Sequence, residues 1–485
     1  MGARGLLVMD VTKTGLLLAV AGALSLGTTG CKEDEPDGSA DETGGEDDDD
    51  DDDDMMDGVG DDDDDDDCVP GAPGCVCASG DTCSGVLFCV EDTCVMGPQV
   101  EFEDEYPEVL AGLRIPVEVT ADGETIMWSQ SDGPSVELVS DVGTEVEVDI
   151  PADLSPGDTF TLMVEASLNG VTLSDTLDIT IREPVFSNVF PDVTSVDELG
   201  TVTSLAFRNG GMYVASAEGF VSQMTPGDDN DDDPIPPGFG ERYDVGGIPG
   251  GMSVLDNDRI LIANSMLSEV QTLNTNSGNI GTLFDSLDGG DPMGEIVFAL
   301  VDRNRDDVVV SNMIDGQLIY HDSGDPDDPD DPEPPSTYLL GDGFTSPNAM
   351  AFGPEGGGMI YLGVQDAVVR VPYDEEGIGM IGTYLDLAGQ CGVPAGIAFD
   401  DGANMWVTCP ETSSLFVARY VGGENPETEV SVSWSDVGTD ISTFTGLRFG
   451  GGDDWGGRTL YWTSPVDMAA GTVGSLGVGL GAFND

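Results

Sequence analysis

A two-part pattern recurs six times between residues 205 and 461: an apolar-x-apolar strand, a turn rich in Gly, Asp and Asn, and a second apolar strand. The first three pairs are Leu205-Ala206-Phe207 with Met212-Tyr213-Val214, Met252-Ser253-Val254 with Ile260-Leu261-Ile262, and Ala299-Leu300-Val301 with Val308-Val309-Val310. The others are Met350-Ala351-Phe352 with Met359-Ile360-Tyr361, Ile397-Ala398-Phe399 with Met405-Trp406-Val407, and Leu447-Arg448-Phe449 with Thr459-Leu460-Tyr461. The first strands end at 207, 254, 301, 352, 399 and 449, at intervals of 47, 47, 51, 47 and 50. Candidate third strands (Gln317 to Tyr320, Ala367 to Val371) and fourth strands (Ile381 to Leu385, Val430 to Trp434) fill the intervals. One such unit cannot bury its own apolar faces, but a ring of them can, and four strands at this period are the signature of a β-propeller. The sequence therefore predicts an all-β chain with a six-bladed propeller over 184–485. Val185 to Val189 is expected to close the ring, because an open sheet edge invites aggregation. Two Pro- and Asp-rich inserts, Asp228 to Pro237 and Asp325 to Pro335, cannot join a ladder and are expected as polar loops after blades one and three.

Ahead of the repeats, residues 98–183 hold short alternating runs: Ile115 to Val119, Thr125 to Trp128, Val136 to Val139, Val146 to Ile150, Phe160 to Ala166 and Leu177 to Ile181. Turn residues separate them, and about seven short strands at this spacing predict a β-sandwich. Residues 68–97 carry Cys68, Cys75, Cys77, Cys83, Cys89 and Cys94. In an exported chain six closely spaced cysteines read as three disulfides with the pairing open, and no His is near to favour zinc. Cys391 and Cys409 flank one hairpin of the propeller and are expected to pair as well.

The N-terminal region gives an address. The apolar run Gly15 to Leu26 follows Arg4 and Lys13 and is followed by Thr28, Thr29, Gly30 and Cys31. It is shorter than the ~20 residues that span a bilayer, and it has the length of a secretory signal core. The segment resembles the lipobox of bacterial lipoproteins, with Thr28 where that family prefers an aliphatic residue. The resemblance implies a signal peptide over 1–30, lipid on Cys31, and anchoring in the outer membrane with the chain exposed at the cell surface. Residues 32 to 67 hold 23 Asp and Glu against one Lys. They cannot bury a core and read as a disordered, self-repelling tether over 31–67. The net charge of −81, with 14 Lys and Arg in 485 residues, excludes nucleic-acid binding, which needs basic side chains against phosphate. The Asp runs offer at most weak, diffuse calcium binding.

Two resemblances add expectations. Trp128-Ser129-Gln130-Ser131-Asp132-Gly133-Pro134-Ser135-Val136 and Leu173 to Ile181 resemble strands of PKD-type immunoglobulin-like domains, which act as spacers or as protein- and glycan-binding modules. The repeats resemble the senescence-marker-protein/gluconolactonase-like and NHL propellers. Ser346-Pro347-Asn348-Ala349-Met350-Ala351-Phe352 looks like that family's Pro-Asn-Gly motif, so its central divalent-metal ligand falls on Asn348. The family's catalytic Asp is Ala395 here, in Val393-Pro394-Ala395-Gly396, and its first-blade Glu is replaced within Val202-Thr203-Ser204. With both carboxylates gone, no tight metal, no cofactor and no lactone hydrolysis are expected. Asn264, Asn312 and Asn348 fall near strand ends, where they either bind a sugar, peptide or cation or satisfy turn backbone. His321, the one histidine, is expected in an exposed loop. The sequence thus reads as a monomeric envelope lipoprotein presenting a non-catalytic propeller to a protein, peptide or glycan ligand. The alternative is a divergent metal-dependent hydrolase at the channel mouth.

Overall fold

The structure is a computed structural model that describes residues 69–481, apart from 103–107, 190–198, 228–237, 288–289, 303–306, 314–315, 322–335, 340–346, 355–357, 375–376, 420–429, 436–445, 452–454 and 467–469. The signal segment, Cys31, the acidic tether and Cys68 lie outside the described residues. The rest is all-β.

Six antiparallel sheets follow the repeats. Blade 1 is Val202–Arg208, Gly211–Ser216, Phe220–Thr225 and Gly238–Asp244; blade 2 is Pro249–Val254, Arg259–Asn264, Glu269–Asn274 and Ile280–Phe284. Blade 3 is Ile296–Asp302, Asp307–Asn312, Gln317–His321 and Ser336–Leu339; blade 4 is Ala349–Phe352, Met359–Val364, Ala367–Asp374 and Gly382–Asp386, with a short flap at Gly377–Ile378. Blade 5 is Gly396–Phe399, Asn404–Cys409, Ser414–Arg419 and Val430–Ser435. Blade 6 takes Leu447–Phe449, Thr459–Val466 and Ala470–Gly477 from the end of the chain and its fourth strand, Phe186–Asn188, from before blade 1. That strand pairs antiparallel with the last one, Phe186 opposite Leu476 and Asn188 opposite Gly474. The ring is closed by both ends of the propeller sequence, as the apolar run at 185–189 predicts.

The period-2 alternation of the first strands builds the contacts between blades, since successive side chains face opposite neighbours. Leu205 and Phe207 pack with Tyr461 and Val473 of blade 6, whereas Ala206 packs with Met252 and Ile260 of blade 2. The same division repeats at Ala299 and Val301 against blade 2, and at Phe298 and Leu300 against blade 4. Close approach near the axis requires glycine at two places: a Cβ on Gly251 would stand 2.4 Å from the Phe298 ring, and one on Gly396 2.5 Å from Leu447 Cβ.

Two expectations are corrected. The acidic inserts do not follow blades one and three. The inserts themselves lie outside the described residues, but the strands on either side place them between the third and fourth strands of their own blades, because Gly238–Asp244 and Ser336–Leu339 complete those sheets. His321 is not in an exposed loop: it ends the third strand of blade 3, half-buried, with its ring centroid 4.6 Å from that of Phe284.

Residues 99–181 form the expected sandwich. One sheet orders Glu108–Val109, Val171–Ile181, Thr159–Leu168 and Thr125–Asp132; the other orders Gln99–Phe102, Arg114–Asp122, Glu145–Asp149 and Glu137–Leu138. Trp128 sits in its core with Phe102 edge-on at 5.8 Å. In the cysteine module Cys77 pairs with Cys89 and Cys83 with Cys94, and Cys75 is also disulfide-bonded. The expected Cys391–Cys409 bond is present.

The sandwich is not a free spacer. Its core residues Leu110, Leu113 and Ile150 belong to one apolar cluster with Trp406, Leu415 and Val417 of blade 5 and Leu447, Trp462 and Leu476 of blade 6. Polar contacts seal the joint. The Asn404 amide brackets the Arg114 backbone, accepting its N–H at 2.8 Å and donating to its C=O at 2.8 Å. Arg419 donates to the carbonyls of Gly112 and Ile150 and pairs with Asp149, which also holds Arg114. Arg182, at the end of the sandwich, donates to the Gly477 carbonyl of blade 6.

Candidate functional site

The first strands of the six blades line the propeller axis, and their leading ends form the channel mouth where the family resemblance places a metal. In blade 1, Thr203 and Ser204 are fully buried and already committed. Thr203 Oγ1 donates to Pro249 O at 2.6 Å, and Ser204 Oγ accepts the Met252 N–H at 2.9 Å. Both hydroxyls stitch blade 1 to blade 2. In blades 2 and 3 the equivalent positions are Gly250 and Gly251, then Val297 and Phe298, none with a side-chain oxygen. Asn348 stands half-buried at the start of blade 4's first strand, its N–H on Gly363 O at 3.0 Å. Ala395 and Gly396 follow in blade 5, with Ala395 buried, and Gly446 in blade 6.

A cation occupies the channel instead. The middle residue of the apolar-x-apolar motif in each first strand is Ala206, Ser253, Leu300, Ala351, Ala398 and Arg448 in turn. Five are small or apolar and pack between blades. The long Arg448 side chain crosses from blade 6 to the far side. Its Nη2 donates to Met252 O of blade 2 at 3.1 Å, its Nη1 to Leu447 O at 2.8 Å, and its guanidinium carbon lies 4.9 Å from the centroid of the Phe298 ring of blade 3. A guanidinium over an aromatic face is an attractive pair, and here it satisfies backbone carbonyls on the inner strand edges. Calcium wants six to eight oxygen ligands, several of them anionic. The described mouth residues offer the Asn348 amide, two committed hydroxyls and a fixed positive charge. They do not fit a divalent metal.

The asparagines singled out by sequence are placed clearly. Asn264 and Asn312 are buried at the ends of the second strands of blades 2 and 3 and hold the connection that enters their own blade. Asn264 Oδ1 accepts the N–H groups of Ile248 (3.1 Å) and Leu267 (3.3 Å), and its Nδ2 donates to Gly246 O (2.9 Å) and Gln271 Oε1 (3.1 Å). Asn312 Nδ2 donates to Met293 O at 2.7 Å. The Cys391–Cys409 bond does the same task covalently, since Cys409 ends the second strand of blade 5 and Cys391 lies in the connection before it. In blade 1 the task falls to Ser216 and Glu218, a carboxylate the sequence reading passed over. Burial raises the Glu218 pKa, but hydrogen bonds from Ser216 and the Thr201 N–H outweigh it and hold the group below its usual value. One position in the repeat thus anchors the incoming connection by three chemistries.

A second carboxylate was also missed. Asp400, fully buried behind the Asn404 bracket, accepts Asn404 N–H (2.9 Å) and Nδ2–H (2.8 Å) on Oδ1 and Trp406 Nε1–H (2.8 Å) on Oδ2. Burial pushes its pKa up to about 7 against the pull of those hydrogen bonds. It faces the joint with the sandwich rather than the channel, so it orients Asn404 and belongs to no mouth chemistry.

No family model and no curated protein matches this chain. Among solved structures it is similar to a luciferin-regenerating enzyme (14% identity over 62% of this chain and 98% of that one, TM-score 0.42) and to a putative gluconolactonase (14%, 62% and 94%, TM-score 0.40). It is also similar to virginiamycin B lyase from Staphylococcus aureus, at 10% identity over 61% of this chain and 99% of that one, with TM-score 0.38.

Proposed function

We propose that the chain is an exported lipoprotein whose propeller is a non-catalytic binding module held at the cell envelope by lipid on Cys31 and the acidic tether. One observation carries the non-catalytic reading: the channel mouth is stitched, glycine-lined and crossed by Arg448, where a hydrolytic metal would need clustered carboxylates. Binding then falls to the loops around the mouth, which the Asn264, Asn312, Glu218 and disulfide anchors hold in fixed positions. Fixed loops lower the entropy lost on association, the property that a receptor surface needs. Protein, peptide and glycan ligands all suit such a surface. The retained Asn348 is what favours the rival reading, a metal-dependent hydrolase.

Two measurements test this. Incubated with calcium and an aliphatic lactone, the purified chain is expected to give no hydrolysis above the spontaneous rate. Turnover that disappears in Asn348→Ala would instead establish the hydrolase. For the anchor, cells expressing the wild type in labelled palmitate are expected to yield a labelled protein, and Cys31→Ala to yield none. Equal labelling of both would remove the lipoprotein reading.

A further inference from the structure

We propose that the sandwich is the clasp of the propeller: by docking on blades 5 and 6 it holds the short strand that closes the ring. The closing strand Phe186–Asn188 makes three pairs with the last strand, followed by one more bond from Val189 N–H to Val473 O at 2.9 Å. So few rungs form a weak edge when isolated, because short strand pairs are marginal in water. Only residues 182–185 separate this strand from Val171–Ile181 of the sandwich. Once the sandwich is fixed against blade 6, the closing strand is delivered to its edge with little chain left to order, which raises its effective concentration.

The structure fixes the sandwich at both ends of that short link. Beside it, Arg182 donates its N–H to Val109 O at 2.8 Å and its guanidinium to Gly477 O, where the last strand of blade 6 ends. The chain then turns at Gly479, which has φ +90°, and a Cβ there would lie 2.9 Å from Glu108 O of the sandwich. Gly481 continues onto blade 5, its N–H on Asp401 Oδ2 at 2.9 Å. Farther away, the Asn404 amide brackets Arg114, and Gly402 has no room for a side chain because a Cβ would stand 2.0 Å from Arg114 O. The shared apolar cluster runs between these polar contacts and includes Phe186 at its margin.

Hydrogen exchange on the full chain tests the inference. Gly402→Val wedges the joint on the blade 5 side and touches no residue of the closing strand. Exchange in 110–115 reports undocking. With it, exchange in 186–189 and 470–477 is expected to accelerate at least tenfold, while 259–264 and 307–312 in blades 2 and 3 keep their protection. Unchanged protection at 186–189 in an undocked variant would overturn the clasp. Uniform acceleration of all six blades would overturn it too, since the sandwich would then be a general stabiliser. Should Gly402→Val fail to fold, Asn404→Ala, which removes the amide bracket together with the Asn404 side-chain hydrogen bond to Asp400, carries the same readout and the same two contrary outcomes.

Discussion

Deleting residues 184–189 is expected to lower the melting temperature of the propeller, with blade 6 opening first, and to leave an aggregation-prone chain. The deletion strips blade 6 of its outer strand and exposes the backbone edge of Ala470–Gly477, a template for pairing with another chain. It also removes Phe186, whose ring sits 6.1 Å from both Trp434 and Trp462 between blades 5 and 6. Phe186→Ala alone, which keeps the strand, is expected to cost about 3 kcal/mol, at the lower end for a core aromatic because the ring is half-buried. The whole deletion should cost more, because a propeller with an open blade loses contacts on both sides of the gap. Thermal unfolding followed by tryptophan fluorescence and light scattering checks both variants. A deletion that melts with the wild type would place the closure elsewhere.

The second large effect is at Asp400. Its folded pKa of about 7 lies above the ordinary carboxylate value, and desolvation is the main cause. The stability linked to this group is therefore fully present below the unfolded pKa near 4 and is lost as the pH rises through 7. At one pKa unit per about 1.4 kcal/mol, the swing is on the order of 4 kcal/mol at most. Asp400→Asn removes the titration but points an NH2 group at donors, Asn404 Nδ2 or Trp406 Nε1. It is expected to destabilise by about 2–3 kcal/mol near pH 5, because two buried donors then share too few acceptors. The gap to wild type should narrow toward pH 8, where the wild type must bury a charge. Glu218 and Asp256 do not obscure this window: their depressed pKa values shift stability only at more acidic pH. Urea denaturation of both proteins from pH 5 to 8 reads the gap. A gap that is constant or widens with pH would mean that Asp400 is ionised throughout.

The blades were legible because their first and second strands are buried on both faces and therefore read as apolar runs at a constant period. Of the fourth strands, Gly382–Asp386 and Val430–Ser435 were legible as apolar runs, whereas Gly238–Asp244 has one buried residue, Tyr243, in seven and resembles a loop, so the insert before it reads as lying beyond blade 1. Docking of the sandwich was hidden for a different reason. Arg114 and Asn404 are 290 residues apart, and nothing local in either marks it as half of a bracket. Asp400 looked like a turn residue after Phe399, since burial behind a distant domain leaves no trace in its neighbours. Arg448 did leave a signal. Aligned on the repeat it is the one charged residue among six equivalent positions, and a cation there should have been read as pointing away from its neighbour blade, into the channel.

A non-catalytic propeller requires that the channel mouth hold no divalent metal. Calcium titration calorimetry on the purified chain, with Asn348→Ala beside it, tests that claim most directly. The prediction is a shallow, non-saturating heat from the acidic runs, the same in both proteins and suppressed by salt. A saturable site of one calcium per chain that Asn348→Ala abolishes would contradict it.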